Sequence, residues 1–318
     1  MPLPADLGIV VVNYGSSALL EENLVPLARL VRGDQVVVVD NFSGISERAA
    51  TTALARREGW ALIAPALNLG FGAGVNMGAR HLIDRGCQRL LLLNPDARID
   101  ETGVALLAAA SAADPASIQC PRIVRSDGRI WFAGGTVDVA AGRTRVGHGP
   151  ADSDPNGWLT GACLMVPAAL WRWLNGFDER YFLYWEDVDL SWRCTAAGGS
   201  LVVRDDVTAV HSVGGTQDGA GKSALYVYFN CRNRLLFAAA HLGRRDLLRW
   251  LVFSPGYAAL VLQRGGRRNL LRRLGPLLVA AVRGTSSGAA QAVRSRFLGR
   301  GRPYPAQPHP LQPAREPS

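Results

Sequence analysis

The sequence predicts an α/β protein, a doubly wound and mostly parallel sheet followed by basic amphipathic helices. Three observations carry that expectation. Strand and helix signals alternate through the first hundred residues. Polar residues collect where the apolar strand runs stop, at Asn13-Tyr14, Asp40-Asn41 and Asn94-Pro95-Asp96. Charge is unevenly spread over the 318 residues: the net value is +9, yet sixteen arginines face only Asp246 and Glu316 from Arg232 onward. That balance of +14 leaves −5 for the first 231 residues, a mildly acidic body joined to a strongly basic third.

Residues 8–13 form a β-branched run suited to a buried parallel strand. Leucine and valine spacing predicts a helix over 18–31, and 35–40 reads as a second strand. A helix over 46–58 has Ser43 or Ser46 as its cap, and 61–64 is a short strand. A Gly-rich loop over 68–74 leads into a helix through about residue 85, and a leucine-rich strand follows over 89–93. Beyond it come an Ala/Leu helix over 102–113, a strand over 118–124, a hairpin over 128–139 and a polar loop over 142–154. Residues 159–166 and the pair 200–203 and 208–210 are strand-like, with helices over 168–174 and 188–197. From about residue 224 the pattern turns helical and Arg/Leu-rich. Its apolar stretches, 247–262 and 270–282, fall short of the roughly 20 residues that cross a bilayer, so they read as helices lying on a membrane or as a packed helical subdomain with its arginines on the solvent face. The Pro-rich segment 299–318 is expected to be disordered.

Five scattered cysteines, none in a C-x-x-C pair, point to reduced thiols rather than a disulfide frame or a zinc site. The apolar run over 9–12 is too short for the core of a signal peptide.

The chemistry-bearing motifs lie at strand ends, where a doubly wound sheet binds ligands. Asn13, Asp40 and Asn41 can accept from a base or ribose there, though each also suits a turn. The run Asn68-Leu69-Gly70-Phe71-Gly72-Ala73-Gly74-Val75-Asn76 lets backbone approach a diphosphate or ribose. It stands at the third βα turn with G-x-G-x-G spacing, a poor match to the dinucleotide fingerprint. Asp96 can hold a divalent cation or simply close a strand. Glu186, Asp187 and Asp189 suit a helix N-terminus, and one of them can serve as a general base. Phe177, Tyr181, Phe182, Tyr184 and Trp185 make the approach aromatic. His211 becomes a ligand candidate if Asp96 folds beside it.

In order, VVNY, VVVDNFS, NLGFGAGVNMG, LLLNPDA, GWLTGACLMV, GFDERYFLYWEDVDLSWR and HSVGGT resemble the family 2 inverting glycosyltransferases. The resemblance is greatest to the bacterial rhamnosyltransferase branch, and it covers about residues 7–240. It implies a GT-A fold with an acceptor-binding half, over 1–223, followed by a basic membrane-associating region over 224–298. It further implies that Asn13, Tyr14, Asp40 and Asn41 contact the nucleoside, and that Asn68, Gly70, Gly74 and Asn76 line the donor pocket. Asp96 and His211 would hold Mg²⁺ or Mn²⁺, with Asn94 in place of the first carboxylate of the usual D-x-D motif. Asp187 would be the base, and Trp158, Gly161, Ala162 and Glu186 would border the sugar and acceptor. The donor would be a dTDP- or UDP-sugar and the acceptor a polyprenyl-diphosphate-linked sugar or glycan. The enzyme would then act peripherally on the anionic cytoplasmic face of the bacterial plasma membrane.

Rival classes fit less well. A sugar-nucleotide pyrophosphorylase needs a basic Gly-rich loop after the first strand, where this chain has Asn13-Tyr14-Gly15-Ser16-Ser17. Nucleic acid is not an expected partner, because the basic third interleaves its arginines with Leu, Ala and Val rather than stacking aromatics. A binding scaffold without turnover is the remaining alternative, and the presence of Asp96, Asp187 and His211 together argues against it.

Overall fold

The structure is a computed structural model that describes residues 3–147, 154–212 and 222–297, the side chains of 267–269 and 297 excepted. Segments 148–153, 213–221 and 298–318 lie outside the described residues, and with them the Pro-rich stretch.

The chain opens with β1 (Leu7–Asn13) and a helical passage that breaks into α1 (Ser17–Leu19), a π turn (Leu20–Leu24) and α2 (Val25–Ala28). One continuous helix was the expectation here. Pro26 has no N–H to close an i→i−4 bond, and the chain widens just before it. Next come β2 (Val36–Asp40), α3 (Ile45–Glu58), β3 (Ala61–Ile63), α4 (Phe71–Asp84) and β4 (Arg89–Leu93). Gly44, not a serine, caps α3, and no side chain closes its first turn.

The glycine run is less of a loop than its composition suggests. α4 already begins at Phe71, so Gly72, Gly74 and Gly78 are helical. An added Cβ would sit 3.0 Å from Val12 at Gly74 and 2.6 Å from Val10 at Gly78. These glycines let the helix lie directly on β1.

Then follow β5 (Ala97–Arg98), α5 (Glu101–Ala113, capped by Asp100), β6 (Ser117–Val124), β7 (Ile130–Phe132), β8 (Gly135–Asp138), β9 (Arg143–Val146) and β10 (Gly157–Trp158). Residues 128–139 are no hairpin: β7 pairs with β6, and β8 with β9 and β10. β11 (Cys163–Pro167), α6 (Ala168–Trp173), α7 (Glu186–Ala196) and β12 (Ser200–His211) complete the sheet region. β12 is one strand with a bulge between Arg204 and Thr208, where two strands were expected.

The main sheet runs β3-β2-β1-β4-β11-β6-β12-β5. β3, β2, β1 and β4 are parallel, the doubly wound half, and β6 and β12 form a second parallel pair. β11 lies antiparallel between the two halves. The register pairs Asn13 with Asp40, which aligns the polar ends of β1 and β2 on one edge.

The last four helices are α8 (Ala224–His241), α9 (Arg244–Val252), α10 (Ser254–Gln263) and α11 (Arg267–Phe297). α11 kinks at Arg273, three residues before Pro276, whose ring displaces the preceding turn. Gly284 and Gly288 bring α11 against α8: an added Cβ would lie 2.3 Å from the Tyr228 carbonyl and 2.6 Å from that of Arg232. The core around Trp250, Phe237 and Leu235 reaches Tyr181, Trp185 and Val188, so the helices support the start of α7. Among the described residues, no helix is long and apolar enough to cross a membrane.

Candidate active site

α7 starts on a strained backbone. Tyr184 and Trp185 stand at φ 67° and 75°, a left-handed conformation that costs about 1–3 kcal/mol per bulky residue. Asn233 of α8, fully buried, donates from Nδ2 to the Leu183 carbonyl at 2.9 Å and the Tyr184 carbonyl at 2.8 Å. Trp185 packs its ring on Phe237. The two bends lead into the first turn of α7, where Asp187 faces Gly161 and Glu186 lies beside Gly72.

Asp187 accepts from the Gly161 N–H at 3.1 Å and the Val188 N–H at 2.8 Å, and it is half-buried. Burial pushes its carboxyl up to about 6, while the two N–H groups pull the other way. Glu186 lies deeper, with Oε2 buried and unpartnered, and burial followed by the Asp187 charge drives it well above the usual carboxylate range. Asp189 behaves oppositely. Burial would raise it, but Arg193 at 2.7 Å and His241 at 2.6 Å outweigh burial and hold it at about 2. Arg193 also ties α7 to the Leu174 and Gly176 carbonyls.

The glycine-rich turn meets this helix. Asn41 receives the Leu69 N–H and donates to the Gly70 carbonyl, each within 2.9 Å, and Asn68 receives the Gly70 N–H at 2.8 Å. Gly70 has φ +91°, and an added Cβ would lie 2.3 Å from the Phe182 carbonyl, which accepts from the Phe71 N–H. Phe71 also faces Gly161, where an added Cβ would be 3.2 Å from its ring. From Gly161 the chain passes to Ala162, whose carbonyl accepts the Asn94 N–H at 2.9 Å. Asp96 follows, with Oδ1 2.9 Å from His211 Nε2; both side chains are buried, and Trp131 covers the imidazole at 4.5 Å. Asp40 binds Arg48 at 2.6 Å through Oδ2, while its Oδ1 is buried without a partner.

Asn41, Asn68, Gly70, Asn94, Asp96, Gly161, Ala162, Glu186, Asp187 and His211 therefore form one linked set. Tyr14 is exposed beside the end of β1. Asn13 is a turn bracket, bonded to Thr51 and the Ser16 N–H. Asn76 uses its amide on the Phe177 backbone and Glu179, so it anchors 177–179. Gly74 serves helix packing, and Trp158 packs at a tilt against Phe132 with Nε1 towards the Arg145 carbonyl. Sequence reasoning missed Arg48, Trp131 and Asn233. Only Asn233 carried a signal, as part of the polar run Arg232-Asn233-Arg234 inside an apolar helix.

A carboxylate and an imidazole fit a divalent cation that takes oxygen and nitrogen ligands, and the buried, unpartnered Nδ1 of His211 is a further polar atom beside them. Among the described residues, no cluster of three or more His, Cys, Asp or Glu side chains accompanies the pair.

Comparison with known proteins gives this geometry a class. The chain is 27% identical over 239 residues to the low-salt glycan biosynthesis hexosyltransferase Agl10 of Haloferax volcanii, covering 73% of this chain and 75% of the relative. It is 28% identical over 233 residues to the N-acetylglucosaminyl-diphospho-decaprenol L-rhamnosyltransferase of Mycobacterium tuberculosis, covering 64% and 75%. The chain is a GT-A glycosyltransferase. Its fold matches GalNAc-T7 in complex with UDP, GalNAc and Mn²⁺, with a TM-score of 0.60, 14% identity, and coverage of 92% of this chain and 58% of that one. It also matches the mannosyltransferase PcManGT of Pyrobaculum calidifontis, with a TM-score of 0.54, 15% identity, and coverage of 90% and 87%. No family model matches the glycosyltransferase.

Proposed function

We propose that this glycosyltransferase moves a sugar, with inversion, from a dTDP- or UDP-sugar to a hydroxyl of a lipid-linked acceptor, and that dTDP-rhamnose is the donor. The observation that carries the reading is the Asp187 carboxylate. It is half-buried, held by the Gly161 N–H, and raised to about 6, so it is ionised at neutral pH yet basic enough to accept a proton. The decaprenol-linked substrate in the mycobacterial relative's name supports the lipid acceptor.

Asp187 takes the proton of the acceptor hydroxyl. The oxygen attacks the anomeric carbon from the face opposite the nucleoside diphosphate, which leaves with the bonding pair, so the configuration inverts in one displacement. Asn41, Asn68 and Gly70 set the backbone that borders the donor, and the free Oδ1 of Asp40 accepts from base or ribose. Asp96 and His211 would hold Mg²⁺ or Mn²⁺. When bound, the ion offsets the growing charge of the leaving diphosphate. The region over 1–223 houses these steps, and the basic helices over 224–298 keep the enzyme peripherally at the anionic cytoplasmic face of the membrane.

The test is a donor panel of dTDP-, UDP- and GDP-sugars with a polyprenyl-diphosphate-N-acetylglucosamine acceptor, reading product configuration by NMR. Transfer from dTDP-rhamnose with inversion supports the reading. Transfer with retention contradicts the role of Asp187, and transfer only from another donor contradicts the rhamnosyl assignment.

A further inference from the structure

Residues 180–185 carry the two left-handed positions at the start of α7, and α8 grips them along their length. Phe229 stacks on Phe182 with ring centroids 5.1 Å apart, Tyr226 meets Tyr184 edge-on at 5.1 Å, and Phe237 packs on Trp185 at 5.4 Å. The polar part of the grip runs through one cation. Arg232 Nη1 donates to the Arg180 carbonyl at 3.0 Å and to Asn233 Oδ1 at 2.6 Å. Its Nη2 donates to Gln291 Oε1 of α11 at 2.9 Å. Asn233 passes the hold on, from Nδ2 to the Leu183 and Tyr184 carbonyls.

Chemistry fixes the direction of each link. A guanidinium only donates, so both amides must turn their oxygens towards it. That leaves Asn233 Nδ2 for the two carbonyls and Gln291 Nε2 for Ser287 Oγ, at 3.0 Å. α11 is shaped to deliver Gln291 here. Gly288 lies three residues earlier on the same helix face, and an added Cβ there would be 2.6 Å from the Arg232 carbonyl. Burial lowers the Arg232 guanidinium from its ordinary value, and the oxygens it meets among the described residues are neutral. A cation desolvated without a carboxylate is a weak source of stability. As a joint it fits better, because its three acceptors belong to the approach to α7, to α8 and to α11.

We propose that Arg232 and Gln291 are positioning residues for Asp187. The chain Gln291–Arg232–Asn233 ties α11 to the bends at Tyr184 and Trp185, and so holds the Asp187 carboxylate against the Gly161 N–H. α11 is then part of what places the base. The donor turn has a separate bracket in Asn41 and Asn68. The proposal deepens the reading of Asp187 as the base and rests on it for the effect on turnover, whereas the placement of the carboxylate is measured without turnover.

Backbone amide exchange in the full chain is that measurement. Gln291→Met removes the acceptor at a half-buried position, and Gln291→Glu keeps an oxygen for Arg232. In Gln291→Met the Gly161 amide should exchange about tenfold faster than in the native chain, while amides of β1, paired on both sides, stay native. Gln291→Glu should restore native exchange at Gly161. In the transfer assay, Gln291→Met should lower kcat about tenfold with the donor KM within about twofold of native, the pattern of a misplaced base. Arg232→Ala should lower kcat further, and Arg232→Lys should recover part of the loss.

Native exchange at Gly161 in Gln291→Met overturns the proposal. So does acceleration shared equally by β1, which reports a general loss of stability, and so does a rise in donor KM with kcat unchanged. Faster exchange at Gly161 alone, beside native kcat and KM, upholds the placement of the carboxylate and sinks the reading of Asp187 as the base. A native chain that transfers no sugar from any donor sinks the transferase reading, and exchange at Gly161 still decides the role of Gln291.

Discussion

Replacing Asp187 by Asn should stabilise the protein at neutral pH and destabilise it in acid. The carboxyl is raised from 3.8 to about 6 in the fold. Below pH 3.8 the group is protonated in both folded and unfolded chains and exerts no pH-dependent penalty. As pH rises through the window from 3.8 to about 6, the unfolded chain releases its proton first, and the folded state loses stability. By pH 7.5 the loss reaches about 3 kcal/mol, from roughly 1.4 kcal/mol per unit. Asparagine carries no such penalty. It does keep only one oxygen for the two N–H groups of Gly161 and Val188, which costs about 1 kcal/mol. Relief of the neighbouring Glu186 acts in the same direction as the loss of charge. Near pH 4 the electrostatic gain has shrunk to about 0.5 kcal/mol, and the lost hydrogen bond decides the sign. Thermal unfolding should therefore show Asp187→Asn melting about 2–6 °C above the native protein at pH 7.5 and at or below it near pH 4. A variant less stable than native at pH 7.5 would refute the picture of a carboxylate held against its own desolvation.

Three further perturbations follow from the same contacts. Asp189→Asn leaves Arg193 buried without its carboxylate and should cost about 3–5 kcal/mol, read by denaturant unfolding; a neutral result contradicts the buried cluster with His241. Gly70→Ala forces a Cβ to within 2.3 Å of the Phe182 carbonyl at φ +91°, so a loss of about 2–4 kcal/mol and of donor binding is expected in the same assay. Leu271, Leu278 and Val282 changed together to Glu should abolish flotation with phosphatidylglycerol vesicles while dTDP affinity stays native, and unchanged flotation removes the membrane role of α11. Surface changes are the right tool here, because deleting the helices would also remove the buried Trp250 and Leu235 core that supports Trp185.

The sequence carried the fold where the physics is local. β1, β2 and β4 are continuous apolar runs, and a strand buried on both faces leaves just that trace. It misplaced the glycine run because glycine answers two needs: Gly70 serves a turn, but Gly74 and Gly78 serve contact with Val12 and Val10, which only the third dimension shows. The anchoring role of Asn76 was hidden for a related reason, since its partner Phe177 lies a hundred residues away. Asp187 was legible as a helix-start carboxylate beside aromatics. Its special environment was not, because the Gly161 N–H, the bends at Tyr184 and Trp185, and the Asn233 bracket come from three separate stretches of chain. The pairing of Asp96 with His211 could be anticipated only as a condition, since they lie 115 positions apart and meet at neighbouring strand ends.

The most direct measurement is acceptor-dependent nucleotide release from dTDP-rhamnose in the presence of Mn²⁺, comparing the native chain with Asp187→Asn. The account predicts a fall of about 10²–10⁴-fold in turnover with native dTDP affinity, the amount a positioned general base supplies. Turnover in the variant within a few-fold of native would contradict the assignment of Asp187, and with it the reading of the cleft.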